Sequence, residues 1–332
     1  MLEEIEGRVE EERRWAAHWS RRALYLVSTG RAPVLLDVAT KQLERVQYGT
    51  RLLLRGKRSY TDAYYDVWEE EPPLPSEVQG RYYPLDYWAR CVLAQEIVLI
   101  TALRGAGEIG AGKPLLRNLI VTIQGRRGTG KTTYAVWCTV AALREIGFSE
   151  REALDYVRRY IVWSPEDLIA KLTAMAREGA WLPAIILDDA GTWLTKYWWF
   201  GSRRERRGMV VLSKLLDTMK DMCGVVIATT PSFKKLVSFL RDFSDYVITG
   251  RSVNDRGRIM NEFRWIGKLP ATTSTGGEQE LGTLFIDLTP PDALMPQDIW
   301  ESMMATRAEL REAHLLELAE SIWGGEEEGG EE

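Results

Sequence analysis

The 332-residue chain is 45% hydrophobic and 27% charged, enough apolar material for one sizeable core and an accessory region. Its formal charge of −5 excludes a uniformly basic nucleic-acid coat, so any polyanion site has to be a local patch. Three cysteines without a CxxC pair, and only His18 and His314 as histidines, argue against a zinc site or a Ser-His-Asp triad.

Residues 1–30 read as a charged helix with apolar positions at Leu2, Ile5 and Val9, not as a signal peptide. Pro33 interrupts it, and a second helical pattern runs from Leu36 to Leu54. The Pro-rich stretch EEEPPLPSEVQG is a linker or loop, and a third helix is expected over about 85–104. Its apolar run is broken by Arg90 and Glu96, too interrupted to span a bilayer, so the expectation is a soluble cytoplasmic protein with no membrane partner. From residue 118 buried strands alternate with helices, the pattern of a parallel sheet. The strands are 119–123, 160–163, 184–187, 224–228 and 246–249. Helices are expected over 132–146, from Pro165 with Ser164 as N-cap, over 208–222, and from Pro231 to Leu240. Two further strands (258–266 and 282–288), a helix (299–323) and an acidic tail expected to be disordered complete the chain. The predicted organisation is an N-terminal helical region (1–117), an α/β core with a parallel sheet flanked by helices (118–251), a small β/α appendage (252–323) and the tail (324–332). Asparagine occurs only at 118, 254 and 261, a scarcity expected of a thermophilic source.

GRRGTGKT, residues 125–132, fits G-x-x-x-x-G-K-[ST] in full and lies between a predicted strand and a predicted helix. Gly125, Arg126, Arg127, Gly128, Thr129, Gly130, Lys131, Thr132 and the following Thr133 are therefore the expected cradle for the phosphates of ATP. Backbone N–H groups would curl around the phosphates at the positive end of the helix dipole. Lys131 would reach the β- and γ-phosphates and Thr132 would ligate Mg²⁺, while Arg126 and Arg127 occupy positions that point outward. ILDDAG (186–191) is an apolar strand ending in two acids: Asp188 to hold Mg²⁺ and Asp189 to polarise an attacking water. The competing reading makes the pair a helix cap. In IATTPSF (227–233), Thr229 is the candidate γ-phosphate sensor and Thr230 the N-cap before Pro231.

Phosphate loop, SPEDL helix start, DDAG and ATT follow the order of the additional-strand P-loop ATPases. Over about 118–251 the sequence resembles the AAA+ helicase-loader and initiator group of the DnaC/IstB type, and ATPases of archaeal viruses and plasmids. The resemblance implies ATP hydrolysis with Mg²⁺, coupled to work on DNA, expected to be single-stranded, or on a replicative helicase. It also implies a homo-oligomer in which a neighbour supplies an arginine to the γ-phosphate. Arg241 and Arg251 are the candidates, with pairing to Asp242 or Asp245 as the competing reading. The segment after 251 departs from the family, whose helical lid carries a second sensor arginine; Arg307 is the one residue suited to that part. Rival readings are a DNA translocase for packaging or conjugative transfer, and a nucleotide switch that does not hydrolyse.

KYWWFGSRRERRG (196–208) joins four aromatics to four arginines directly after the DDAG strand. Three readings compete. Bases could stack on Tyr197, Trp198, Trp199 or Phe200 while Arg203, Arg204, Arg206 and Arg207 meet phosphates. The segment could instead be a subunit or partner interface, where Trp, Tyr and Arg are typical anchors. Or the aromatics pack on the N-terminal helices and the arginines are solvated.

Overall fold

In the computed structural model residues 2–28, 30–56, 58–70, 84–107, 118–194, 214, 219, 221–269, 279–290 and 293–323 are described. The segment 196–208 and the helix expected over 208–222 fall mostly outside them. Seven strands build one sheet: β1 (Leu119–Gly125), β2 (Ile161–Val162), β3 (Leu182–Leu187), β4 (Cys223–Thr230), β5 (Tyr246–Asp255), β6 (Arg258–Leu269) and β7 (Gln279–Thr289). Their order is β2-β3-β4-β1-β5-β6-β7. β1 to β5 pair in parallel, and every residue of β3 and β4 is buried, as expected of strands covered on both faces. The chain is thus an α/β P-loop NTPase fold, with a mostly parallel sheet and helices around it.

The helices of the core begin and end where local chemistry dictates. α6 (Lys131–Ile146) starts at Gly130 and stops at Gly147, both in left-handed conformation, φ 71° and 117°. α7 (Glu150–Tyr160) opens with a reciprocal capping box between Ser149 and Glu152. α8 (Pro165–Glu178) has the expected start, with the Asp167 N–H donating to Ser164 Oγ at 3.2 Å. The helix expected from Pro231 to Leu240 is replaced by a 3₁₀ turn, Phe233–Lys235, and a short helix, Ser238–Phe243. Thr230 Oγ1 accepts from the Ser232 N–H at 3.2 Å, which closes a tight turn after β4 rather than capping a helix.

The sheet does not stop at residue 251. β5 runs on to Asp255, and the turn at Arg256 and Gly257, φ 53° and 83°, returns the chain as antiparallel β6. Positive φ at both central residues matches the twist of a tight hairpin, and the sequence D-R-G-R supplies the glycine it needs. The boundary expected between 251 and 252 therefore falls inside a strand.

Residues 1–293 cluster as one compact unit, which includes the N-terminal helices. α1 (Leu2–Ser28) buries Val9, Ala16, Trp19, Ala23 and Val27. A seam of ion pairs ties it to α7 and α8: Glu6 to Arg177, Arg13 to Glu178, Glu12 to Arg159, and Arg22 to Glu152. α2 (Ala32–Leu54), α3 (Tyr60–Trp68) and α4 (Leu85–Ala89) sit over the antiparallel wing, where Thr50 Oγ1 accepts from the Ile286 N–H and the Tyr87 hydroxyl donates to the Leu288 carbonyl. α5 (Val92–Gly105) is apolar on nearly every side and almost wholly buried, a core helix that reads from sequence as the most hydrophobic stretch. Among the described residues no helix is long and apolar enough to cross a membrane. The second unit, residues 294–332, is described over its helix Gln297–Trp323, which carries Arg307.

Candidate nucleotide site

Strand register brings the chemistry together. Ile123 of β1 lies opposite Thr229 of β4, and Leu187 of β3 lies opposite Ala228. Asp188, the next residue after β3, is therefore level with Thr229, and both sit beside the loop that leaves β1. Such a crevice, at the carboxyl edge where the strand order reverses, is where open α/β sheets bind ligands.

The Asp188 side chain is only 1% exposed. Its Oδ1 accepts from the Thr132 hydroxyl at 2.5 Å and from the Thr229 hydroxyl at 2.8 Å. Its backbone is held too: the N–H donates to the Val162 carbonyl, and the carbonyl accepts from Trp193 Nε1 at 2.9 Å. Asp189, half-buried, adopts a left-handed φ of 48° at the start of the one-turn helix α9 (Ala190–Trp193). Its N–H donates to Thr229 Oγ1 at 2.8 Å. Thr229 thus donates to one acid and accepts from the backbone of the next, which fixes both against each other. Asp189 occupies the N-cap position of α9 without a side-chain capping bond, so the capping reading of the acidic pair has no support in this geometry.

The phosphate loop has the shape its glycines permit. Gly128 and Gly130 take positive φ, 84° and 71°. Gly125 must lack a side chain, because a Cβ there would lie 2.5 Å from the Gly250 carbonyl oxygen of β5. Thr129 is buried with its hydroxyl donating to the Arg126 carbonyl, while Arg126 and Arg127 themselves are exposed. Lys131 Nζ donates to the carbonyls of Gly125 and Arg126 at 2.9 and 3.0 Å, which holds its charge at the loop's mouth. Thr132 and Thr133 follow in the first turn of α6, half-buried. Lysine, a helix N-terminus with its open N–H groups, and neutral hydroxyls around one buried carboxylate suit a polyphosphate with a hard divalent cation. Magnesium is characteristically held by one or two carboxylates plus the substrate's own phosphates. A site with Thr132 and Asp188 fits that, and among the described residues no cluster of three or more metal-binding side chains exists.

The other candidates are placed elsewhere. Arg251 pairs with neither Asp242 nor Asp245 but with Glu262 across the β5–β6 hairpin, Nε to Oε1 at 2.7 Å. Glu262 is fully buried, also holds Arg264 and the Tyr60 hydroxyl, and these donors keep its carboxyl below the usual range against the cost of burial. Arg241 lies half-buried on the Ser238–Phe243 helix, where its N–H donates to the Val237 carbonyl. Trp198, Trp199, Arg203, Arg204, Arg206 and Arg207 lie outside the described residues.

Two contributors escaped the sequence reading. Gln124, just before the loop, donates to Thr249 Oγ1 and accepts from the Phe233 N–H, both at 3.2 Å, and so links β5, the phosphate loop and the turn after β4. Asn261 of β6 is 2% exposed, and its Nδ2 lies 3.1 Å from where a Cβ on Gly130 would be. Only strand register brings Asn261 there; its scarcity in the composition is the one sequence signal that singled it out.

Residues 121–249, from β1 into β5, match the family model described as AAA, the ATPase family associated with various cellular activities. A protein of Sulfolobus spindle-shape virus 1, named Uncharacterized protein B-251, is 28% identical over 120 residues. The alignment covers 36% of this chain and 46% of that protein, so the chain spans less than half of its relative's length. The match supports ATP binding and hydrolysis, and in its parallel half this P-loop NTPase fold is similar to the AAA ATPases.

Proposed function

We propose that the protein binds ATP with Mg²⁺ at the N-terminus of α6 and hydrolyses it, coupling turnover to DNA handling of the helicase-loader or initiator kind. The observation that carries the ATPase reading is the hydrogen-bonded cluster Thr132–Asp188–Thr229–Asp189 beside Lys131. Bound Mg²⁺ would neutralise the charge that develops on the phosphates. The chain's own residues do the positioning. The α6 N-terminus and Lys131 bind the phosphates, and Asp188 with Thr132 holds the cation. Asp189 orients and polarises the water, and Thr229 keeps the two acids aligned. Phosphoryl transfer depends mostly on such positioning and electrostatic stabilisation.

The DNA reading rests on where the chain goes next. In sequence the aromatic–arginine segment begins two residues after Leu194, close behind Asp189 and α9. Lys234 and Lys235 are exposed in the turn that Gln124 and Thr230 hold after β4. The two lysines put cationic side chains beside the carboxyl end of β4. The same segment suits an oligomer in which a neighbouring subunit, rather than DNA, is the partner.

The test is ATPase rate with no DNA, single-stranded DNA and duplex, alongside particle mass. Stimulation by single strands is the expected result; stimulation confined to duplex, with movement along it, favours a translocase. Lys131→Ala should abolish nucleotide binding and turnover, and an unchanged rate sinks the ATPase reading. Binding without turnover in the unmutated protein makes it a switch.

A further inference from the structure

Asn261 is a polar side chain buried where the fold needs none. It is 98% covered, on a strand that belongs to the antiparallel wing and lies beyond the segment similar to the AAA ATPases. Its register partner across the hairpin is Ser252, whose hydroxyl donates to Asn261 Oδ1 at 3.1 Å. In this arrangement the amide oxygen takes the Ser252 hydroxyl proton. The NH₂ end is left at the phosphate loop, with Nδ2 nearest to Gly130, the N-cap of the 16-residue helix α6. Among the described residues Nδ2 donates to no acceptor.

The open N–H groups of the α6 N-terminus and the Lys131 ammonium are donors too, and Lys131 already takes the Gly125 and Arg126 carbonyls. Nδ2 is not among the fully enclosed side-chain atoms that lack a partner, so an acceptor from outside the chain can reach it. The positive end of α6 and the Lys131 charge favour an anionic oxygen as that acceptor. The wing is stiffened from its other face as well, because the neighbouring register pair, Arg251 and Glu262, is locked with Arg264 and Tyr60. Asn261 itself is held between β5 and β7 by strand pairing and by the Ser252 hydroxyl.

We infer that Asn261 is a nucleotide-contacting residue, its side-chain amide donating to the phosphate chain of a nucleoside triphosphate at the N-terminus of α6. This rests on the nucleotide reading of the site and adds to it a donor from outside the phosphate loop, supplied by the antiparallel wing. The contact makes β6 a sensor of occupancy, since a filled site ties the wing to the loop and an empty one does not.

Calorimetric titration of the full chain with Mg-ATP and with Mg-tripolyphosphate tests this, using the unmutated protein, Asn261→Ala, Asn261→Asp and Ser252→Ala. Asn261→Ala should weaken both ligands by roughly 10-fold, the scale of a hydrogen bond to a charged group. Asn261→Asp should weaken them further, by roughly 100-fold, because a carboxylate then faces phosphate. Ser252→Ala keeps the donor but frees its orientation, and should cost roughly 2- to 5-fold. That variant leaves β6 intact, so it decides the matter even if substitution of Asn261 prevents folding. Unchanged affinity in both Asn261→Ala and Ser252→Ala overturns the inference. Loss of ATP affinity with tripolyphosphate unaffected also overturns it, by moving the contact to sugar or base. An unmutated chain that binds neither ligand would defeat the nucleotide reading itself, a separate failure.

Discussion

The Thr229 hydroxyl donates to Asp188 Oδ1 and accepts from the Asp189 N–H, so one side chain joins the two acids. Replacing it with valine keeps the shape but removes one of two hydroxyl donors to Asp188 Oδ1 and strands the Asp189 N–H. Thr229→Val should cost about 1–3 kcal/mol of stability in urea unfolding. ATP affinity should hold within a few fold while single-turnover hydrolysis falls roughly 10- to 100-fold, by loss of positioning. Equal losses in affinity and rate would instead make Thr229 a binding residue. Asp189→Asn is the complementary change. Asparagine tolerates the left-handed φ of 48° that Asp189 adopts, so the fold should be unaffected. ATP binding should survive and turnover vanish; residual turnover above a few per cent of the unmutated rate would remove Asp189 from the chemistry.

At the scale of single elements, α5 carries an unusual load. Glu96, largely buried on an apolar helix near Asp245, has its carboxyl pushed up to about 7 by burial and by that neighbouring charge. At the helix start, Asp287 of β7 accepts from the Val92 N–H with both oxygens, 3.1 and 3.0 Å, and from Tyr134 and Trp265; burial still raises it to about 6. Both acids bind protons more tightly folded than unfolded, so their contribution is fully present below the unfolded values and is lost as pH rises through 6 and 7. Thermal stability should therefore decline between about pH 4.5 and 7.5. Glu96→Gln should remove the Glu96 part, on the order of 3 kcal/mol at pH 8, and leave the Asp287 part between pH 4 and 6. A midpoint-versus-pH curve for the variant that parallels the unmutated one rules out Glu96 as a source.

The whole molecule joins its parts through one sheet. Five parallel strands continue into the antiparallel pair β6–β7, with α2, α3 and α4 laid over that wing. Asp255 at the hairpin accepts from both the N–H and the hydroxyl of Thr61, and Arg256 pairs with Asp62, so the N-terminal helices and the wing are fastened at the hairpin tip. A chain ended at Arg251, where the sequence pattern sets a boundary, would cut β5 short and remove Phe263 and Trp265, uncovering Tyr134 and Tyr246. It should be insoluble or lack a cooperative thermal transition. A soluble, cooperative fragment that still binds ATP would show the wing to be dispensable.

What the sequence determined by itself was local. A phosphate loop needs its glycines in one short run, α6 and α8 carry their start signals within four residues, and apolar strands of the parallel core read as unbroken runs. The acids of DDAG and the threonines of ATT were legible for the same reason, each lying at the end of such a run. Tertiary structure decided what depends on pairing between distant residues. Register placed Thr229 against Asp188, extended β5 past residue 251, gave Arg251 to Glu262, and set Asp287 at the start of a helix 195 residues earlier in the chain. It also aimed Asn261 at the phosphate loop. Hydrogen bonds between strands far apart in the chain leave no periodic mark on either segment, so only the folded sheet could reveal them.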